Sequence, residues 1–184
     1  MQELSMNVLD VAENSMRAQA KNVTIKVIED SAADLLSISI EDDGCGMSEE
    51  QVAQVTDPFF TTRTTRKVGL GVPLFKMAAE MSGGEFSISS KPGVGTKTCA
   101  SFGLTNIDRM PQGDMASTIQ MLICSHENVN LRYTHIVDGK EFFISTSQLK
   151  EVLEEVPLET PEVRLFVEEY LRQNINALYT DEEE

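Results

Sequence analysis

Asp10-Val11-Ala12-Glu13-Asn14-Ser15-Met16-Arg17 lies within residues 5–20, where apolar side chains recur at Met6, Leu9, Val11, Ala12, Met16 and Ala20. That spacing predicts an amphipathic helix. Asp10, Asn14 and Arg17 are four and three residues apart, so a helix puts them on successive turns of one face. A carboxylate, an amide oxygen and a guanidinium facing one spot suit a water, a Mg²⁺ ion and a phosphate. Taken alone, the trio is also what a solvated polar face opposite a core would carry.

Working outward, residues 23–28 and 35–41 alternate as strands covered on one face do, with a polar turn at 29–34 between them. The second strand runs into Asp42-Asp43-Gly44-Cys45-Gly46. An aspartate at a strand end can accept a hydrogen bond from an exocyclic amine, and glycines remove the Cβ atoms that would block a flat base. Cys45 between them reads as a small buried residue. Ser48-Glu49-Glu50-Gln51 is a capping box opening a short helix to about Thr56. Residues 61–68 follow Asp57-Pro58 with no apolar period, a loop carrying Arg63, Arg66 and Lys67.

Gly69-Leu70-Gly71 then leads into a helix over 72–82, with Pro73 in its first turn and Gly83-Gly84 as its stop. A glycine turn feeding a helix N-terminus offers free N–H groups and a positive dipole end to phosphate. The spacing matches neither the P-loop nor the complete G-x-G-x-x-G pattern. Strands near 85–90 and 97–104 flank the turn Lys91–Gly95, where Gly93-Val94-Gly95-Thr96 enters the second strand.

Composition changes at Asn106–Gly113, which places a boundary between residues 1–105 and 106–184. Beyond it, strand-like runs at 118–125, 130–137 and 140–145 are expected, the last two joined by the hairpin signal Asp138-Gly139. Two helices finish the chain, at 147–156 and at 161–178, the second with Thr160 as N-cap and Pro161 at its first position.

The 184 residues carry a net charge of −15, which argues against a nucleic-acid surface. Residues 151–184 hold 11 Asp/Glu against two Arg, a net of −9. No apolar run approaches the roughly 18 residues of a membrane span, and the N-terminus lacks the basic and apolar regions of a signal peptide. Cys45, Cys99 and Cys124 have neither disulfide nor zinc spacing, so reduced thiols and a cytoplasmic setting are expected.

Each local feature is ordinary by itself; their order is not. Asp10–Arg17 resembles an N-box, Asp42–Gly46 a first glycine box, Asp57–Arg63 an F-box, Gly69–Leu74 a second glycine box and Gly93–Thr96 a last one. Residues 5–104 thereby resemble the GHKL superfamily: gyrase-type topoisomerases, heat-shock chaperones, histidine kinases and mismatch-repair MutL proteins. Pro58-Phe59-Phe60-Thr61-Thr62-Arg63, followed shortly by Gly-Leu-Gly, is most similar to the histidine-kinase branch. Glu13-Asn14-Ser15 and Asp43–Gly46 read much like the mismatch-repair proteins.

The resemblance implies a two-layer α/β sandwich, a mixed sheet with helices on one face, followed by a small α+β extension. It implies ATP and Mg²⁺, with Asp42 on the adenine amine, directly and through a water shared with Thr96. Gly44, Gly46, Gly69, Leu70 and Gly71 would let the backbone approach, Asn14 would hold Mg²⁺, and Arg17 with Arg63 or Lys67 would meet the phosphates. Asp10 would orient water or acceptor, although the family more often carries Glu, Asn or His there, so turnover is expected to be slow. The chain opens directly on the N-box-like helix, so a separate protein is expected to supply the phosphoacceptor: a response regulator or another signalling protein. His126, expected at a strand end, and His135, expected on a packed strand face, are not expected to be acceptors. A non-catalytic, ATP-loaded regulator of MutL-like or anti-sigma-like kind is the alternative. Residues 106–184 suit a partner-docking or dimer module, or a structural extension.

Overall fold

The structure is a computed structural model that describes residues 2–59 and 70–181. Helix α1 (Leu4–Arg17) precedes strands β1 (Asn22–Asp30) and β2 (Leu35–Asp42), then helices α2 (Glu49–Thr56) and α3 (Gly71–Met81). Strands β3 (Phe86–Lys91) and β4 (Gly95–Gly103) follow, then helix α4 (Met115–Ser125). Strands β5 (Asn130–Val137) and β6 (Lys140–Ser145) and helices α5 (Thr146–Leu153) and α6 (Pro161–Ala177) complete the chain. The six strands form one mixed sheet in the order β3-β4-β2-β1-β5-β6. β1 and β5 run parallel, and the other neighbours are antiparallel.

Register puts the apolar alternation of every central strand on one side. Ile25 lies opposite Ile40 and Tyr133, and Val27 opposite Ile38 and His135. Leu36 faces Phe102 across β2 and β4. All but Ile40, 2% exposed, are fully buried, and α1, α3 and α4 close over them. Phe75 of α3 packs on Phe102, ring centroids 5.9 Å apart. The other face carries Thr24, Lys26, Ser39, Lys97 and Arg132 and stays open, giving the expected two layers.

One expected strand is a helix. Residues 118–125 belong to α4, whose N-cap Asp114 accepts a hydrogen bond from the Ser117 N–H at 3.0 Å. The run is apolar and β-branched because α4 is buried on most sides, between α1 and α6, and such a run has no readable period. His126 consequently sits at the C-cap of α4 and not at a strand end. The hairpin signal holds: Asp138 and Gly139 both have positive φ, as a type I′ turn requires. Ser48 and Gln51 form the capping box in both directions. Pro161 opens α6 as expected, while Thr160 makes no side-chain cap bond.

A polar chain runs from the half-exposed Tyr179, just past α6, into the buried face of the sheet. The Tyr179 hydroxyl donates to Glu29 Oε1. That uses its only proton, so its oxygen accepts from His135 Nε2, 3.3 Å away. His135 Nδ1 is then free to accept from the Tyr133 hydroxyl at 2.7 Å. Tyr133 and His135 are fully buried.

Candidate functional site

The site forms where α1 crosses the ends of β2 and β4. Asp42 ends β2 directly opposite Thr96. Both fall in the register row next to Ile40 and Thr98, on the helix-covered face. The Ser15 hydroxyl of α1 donates to Asp42 Oδ2 at 2.6 Å, and the Gly44 N–H donates to Oδ1 at 2.9 Å. Thr96 shares a 2.7 Å hydroxyl–hydroxyl bond with Ser90, and Ser90 also accepts from the Met47 N–H at 2.8 Å. The pair is therefore held from both sides.

These residues line a cavity of about 150 Å³ with walls from Val11, Ile40, Met47, Val55, Val72 and Ile88. Asn14, Ser15, Ala18, Cys45, Gly46 and Thr98 complete the lining. Flat apolar walls with one carboxylate at the rim are what a heteroaromatic base with an exocyclic amine needs. A wider hollow of about 500 Å³ lies beside Lys97 and Arg132 on the open face, touching Asp42 and Thr96 from behind. It is more open, and the smaller, more sheltered cavity is the better candidate for a base.

Gly46 has a φ of +69°, and a side-chain carbon there would run into the Lys91 carbonyl. Gly71 opens α3, and a Cβ added to it would lie 2.8 Å from the Asp10 Cβ. The second glycine position is thus pressed against the Cβ and backbone of Asp10 on α1. Among the described residues no side chain caps the α3 N-terminus, which begins beside Asp10, and Pro73 in its first turn has no N–H. Leu70, just before it, is exposed.

On α1, Arg17 Nη1 donates to Asn14 Oδ1 at 2.9 Å. Partial burial raises the Asp10 carboxyl above its ordinary range; Arg17 pulls it back down and Glu13 pushes it further up. Glu13 itself contacts His126 Nε2 at 2.9 Å. No group of three or more His, Cys, Asp or Glu forms a metal site among the described residues. The donor set fits Mg²⁺ only as a single amide oxygen, Asn14 Oδ1, completed by phosphate oxygens.

The structure thus brings together Asp10, Asn14, Arg17, Asp42, Gly44, Gly46, Leu70, Gly71 and Thr96. Arg63, Arg66, Lys67 and Gly69, with the F-box from Phe60 onward, lie outside the described residues. Cys45 is exposed at the cavity and not buried, because the turn that frees the backbone at Gly44 and Gly46 points it outward. Sequence reasoning passed over Ser15 and Ser90. Ser90 was findable, since a hairpin closing on the Gly93 turn places it opposite Thr96. Ser15 carried no signal of its own.

Residues 1–106 match the family described as histidine kinase-, DNA gyrase B- and HSP90-like ATPases, and the chain belongs to that family. Its relatives include the sensor protein kinase FleS of Pseudomonas aeruginosa, 38% identical over 104 residues, 56% of this chain and 25% of that protein. The sensor protein DegM of a Bacillus species is 32% identical over 94 residues, 51% of this chain and 25% of the relative. The matched stretch thus spans a quarter of each relative's own length. A solved structure of the N-terminal domain of a DNA repair protein aligns with 97% of this chain and 57% of its own. It is 14% identical with a TM-score of 0.53, a likeness of fold. The family match makes residues 1–106 an ATPase module of that family, and the solved structure agrees with it in fold. No helix among the described residues is long and apolar enough to cross a membrane.

Proposed function

We propose that this chain binds ATP with Mg²⁺ and acts as a kinase-type ATPase module that phosphorylates or regulates a separate protein. The observation that carries the reading is Asp42, fixed by Ser15 and Gly44 at the rim of the enclosed cavity, with Asn14 lining the same cavity. Adenine enters the slot with its amine on Asp42, and the triphosphate runs along α1 toward the N-terminus of α3. Asn14 gives an oxygen to Mg²⁺, which neutralises phosphate charge during transfer. Arg17, now on Asn14, swings to a phosphate, and the basic residues Arg63 and Lys67 join it. Asp10 orients the attacking water or acceptor. Residues 106–184 form the extension to this module, and the acceptor comes from another signalling protein in the cytoplasm.

A second reading is a non-catalytic switch, in which the ATP-loaded form recruits a partner. It is favoured by Asp10, a carboxylate one methylene shorter than the glutamate that activates water in related ATPases. Measuring Mg·ATP binding and turnover with and without a copurified partner separates the two. Binding with turnover that rises with the partner supports the kinase-type reading. Binding with neither hydrolysis nor transfer in that mixture favours the switch, and failure to bind ATP ends both.

A further inference from the structure

The last strand of the sheet has an open edge with an aromatic roof. β6 is the terminal strand beyond β5, and it reads Lys140-Glu141-Phe142-Phe143-Ile144-Ser145, without proline or glycine. Val137 and Lys140 flank the two-residue turn, and such a flanking pair exchanges both its hydrogen bonds. Lys140, Phe142 and Ile144 are therefore bonded to β5, while Glu141 and Phe143 turn their N–H and C=O groups outward. Among the described residues nothing bonds to those outward groups, and both residues are exposed. Edges of this kind are normally blunted by a proline, a bulge, charged side chains or a covering loop, and of the side-chain devices β6 carries only the charges of Lys140 and Glu141 at its first two positions.

α6 lies over this edge. Tyr170 meets Phe142 edge-on, with ring centroids 5.9 Å apart, and Phe166 stacks on Tyr170 one turn away at 6.1 Å. Phe142 is buried, yet Phe166 is 49% and Tyr170 40% exposed, so the roof extends past the strand that it covers. Glu162 and Glu169 stand on the same flank of α6, in the segment of residues 151–184 that carries a net of −9. A second copy pairing β6 with β6 would set two such acidic segments side by side, which like charges oppose.

We propose that the β6 edge takes up an extended segment of a protein partner as a seventh strand, with apolar and basic side chains in alternation. Its backbone would pair with Glu141 and Phe143. Its apolar side chains would pass under Phe166 and Tyr170, and its basic ones would meet the acidic rim. This surface does not depend on nucleotide, so it stands or falls apart from the ATP reading.

The probe is a short synthetic peptide alternating lysine with valine and phenylalanine. Its comparisons are a glutamate-for-lysine analogue and a version N-methylated on the edge that would pair. The full chain is titrated with each, and amide hydrogen exchange is followed residue by residue. The lysine peptide is expected to bind, more weakly in high salt, and to slow exchange at Glu141 and Phe143 by about tenfold or more. The N-methylated and acidic peptides are expected to do neither. Phe166→Ser with Tyr170→Ser should weaken binding about tenfold, a loss of about 1.4 kcal/mol. Unchanged exchange at Glu141 and Phe143, or equal binding of the N-methylated peptide, overturns the proposal without any variant having to fold. Concentration-dependent protection of those two amides in the chain alone also overturns it, and assigns the edge to a second copy.

Discussion

Asp42 and Thr96 stand opposite each other across β2 and β4, and each is held by a serine from a different element: Ser15 of α1 and Ser90 of β3. A carboxylate and a hydroxyl at one level of a sheet can bind one amine and one water together. Their supports come from both layers, so loading the cavity couples α1 to the sheet.

Asp42→Asn should leave the fold intact and weaken ATP binding by roughly 10- to 150-fold, about 1.5–3 kcal/mol for a hydrogen bond to a charged group. Ser15→Ala should cost less, because Gly44 still holds the other carboxylate oxygen. Calorimetry is the check. Unchanged affinity in Asp42→Asn would remove adenine from this cavity.

The contact between Arg17 and Asn14 bears on the metal. Asn14 Oδ1 is already used at 2.9 Å, so Mg²⁺ should gain this ligand only once triphosphate draws Arg17 away. Asn14→Ala is expected to weaken binding of Mg·ATP more than binding of metal-free ATP. Equal losses with and without Mg²⁺ would place the ion elsewhere.

His135 predicts an acid weakness. Burial lowers its pKa from about 6.5 to about 4, so the folded state keeps the imidazole neutral while the unfolded chain takes up a proton. A depressed histidine contributes its full stability above about pH 6.5 and loses it as pH falls toward 4. The total is about 3 kcal/mol. Glu29, 4.0 Å from Nε2, would soften the loss by facing the imidazolium. Urea unfolding at pH 7 and pH 5 should show a drop in wild type that is clearly smaller in His135→Gln. An equal drop in both would put the acid sensitivity elsewhere.

How far the sequence could be read depended on the range of the forces involved. Helix α1 was legible because its period and its Asp10–Asn14–Arg17 face lie within a few turns of one another. The β6 hairpin was legible because Asp138-Gly139 fixes its own turn. Helix α4 was not, since burial between α1 and α6 removed the polar face that gives a helix its period. The parallel pairing of β5 with β1 brings residues about a hundred positions apart into register, and no local pattern encodes it. The same distance hid the contact between Glu13 and His126. Asp42 was singled out through its glycines, whereas Ser15, its hydrogen-bond partner in the other layer, looks like any helical serine.

That contact between Glu13 and His126 shapes the catalytic expectation. His126 caps α4 with its Nε2 2.9 Å from Glu13 Oε1, so this ring nitrogen is held against a carboxylate of α1. His135 is fully buried. Label from γ-phosphate should therefore stay off the isolated chain. Hydrolysis should be slow, because Asp10 must reach further than a glutamate, and should rise when a partner supplies an acceptor or an electrostatic group. As a base Asp10 has to be ionised, and its carboxyl is raised above the ordinary range, first by burial. The rate should thus fall in acid at a higher pH than an ordinary aspartate would give. Asp10→Asn should remove that acid limb with most of the hydrolysis, yet spare transfer to a histidine, whose neutral imidazole needs little help from a base. The measurement is incubation with γ-labelled ATP across pH, followed by acid- and base-stability tests on any labelled protein. Acid-labile, base-stable label on this chain, lost in His126→Ala, would show self-phosphorylation and overturn the assignment of that histidine to Glu13.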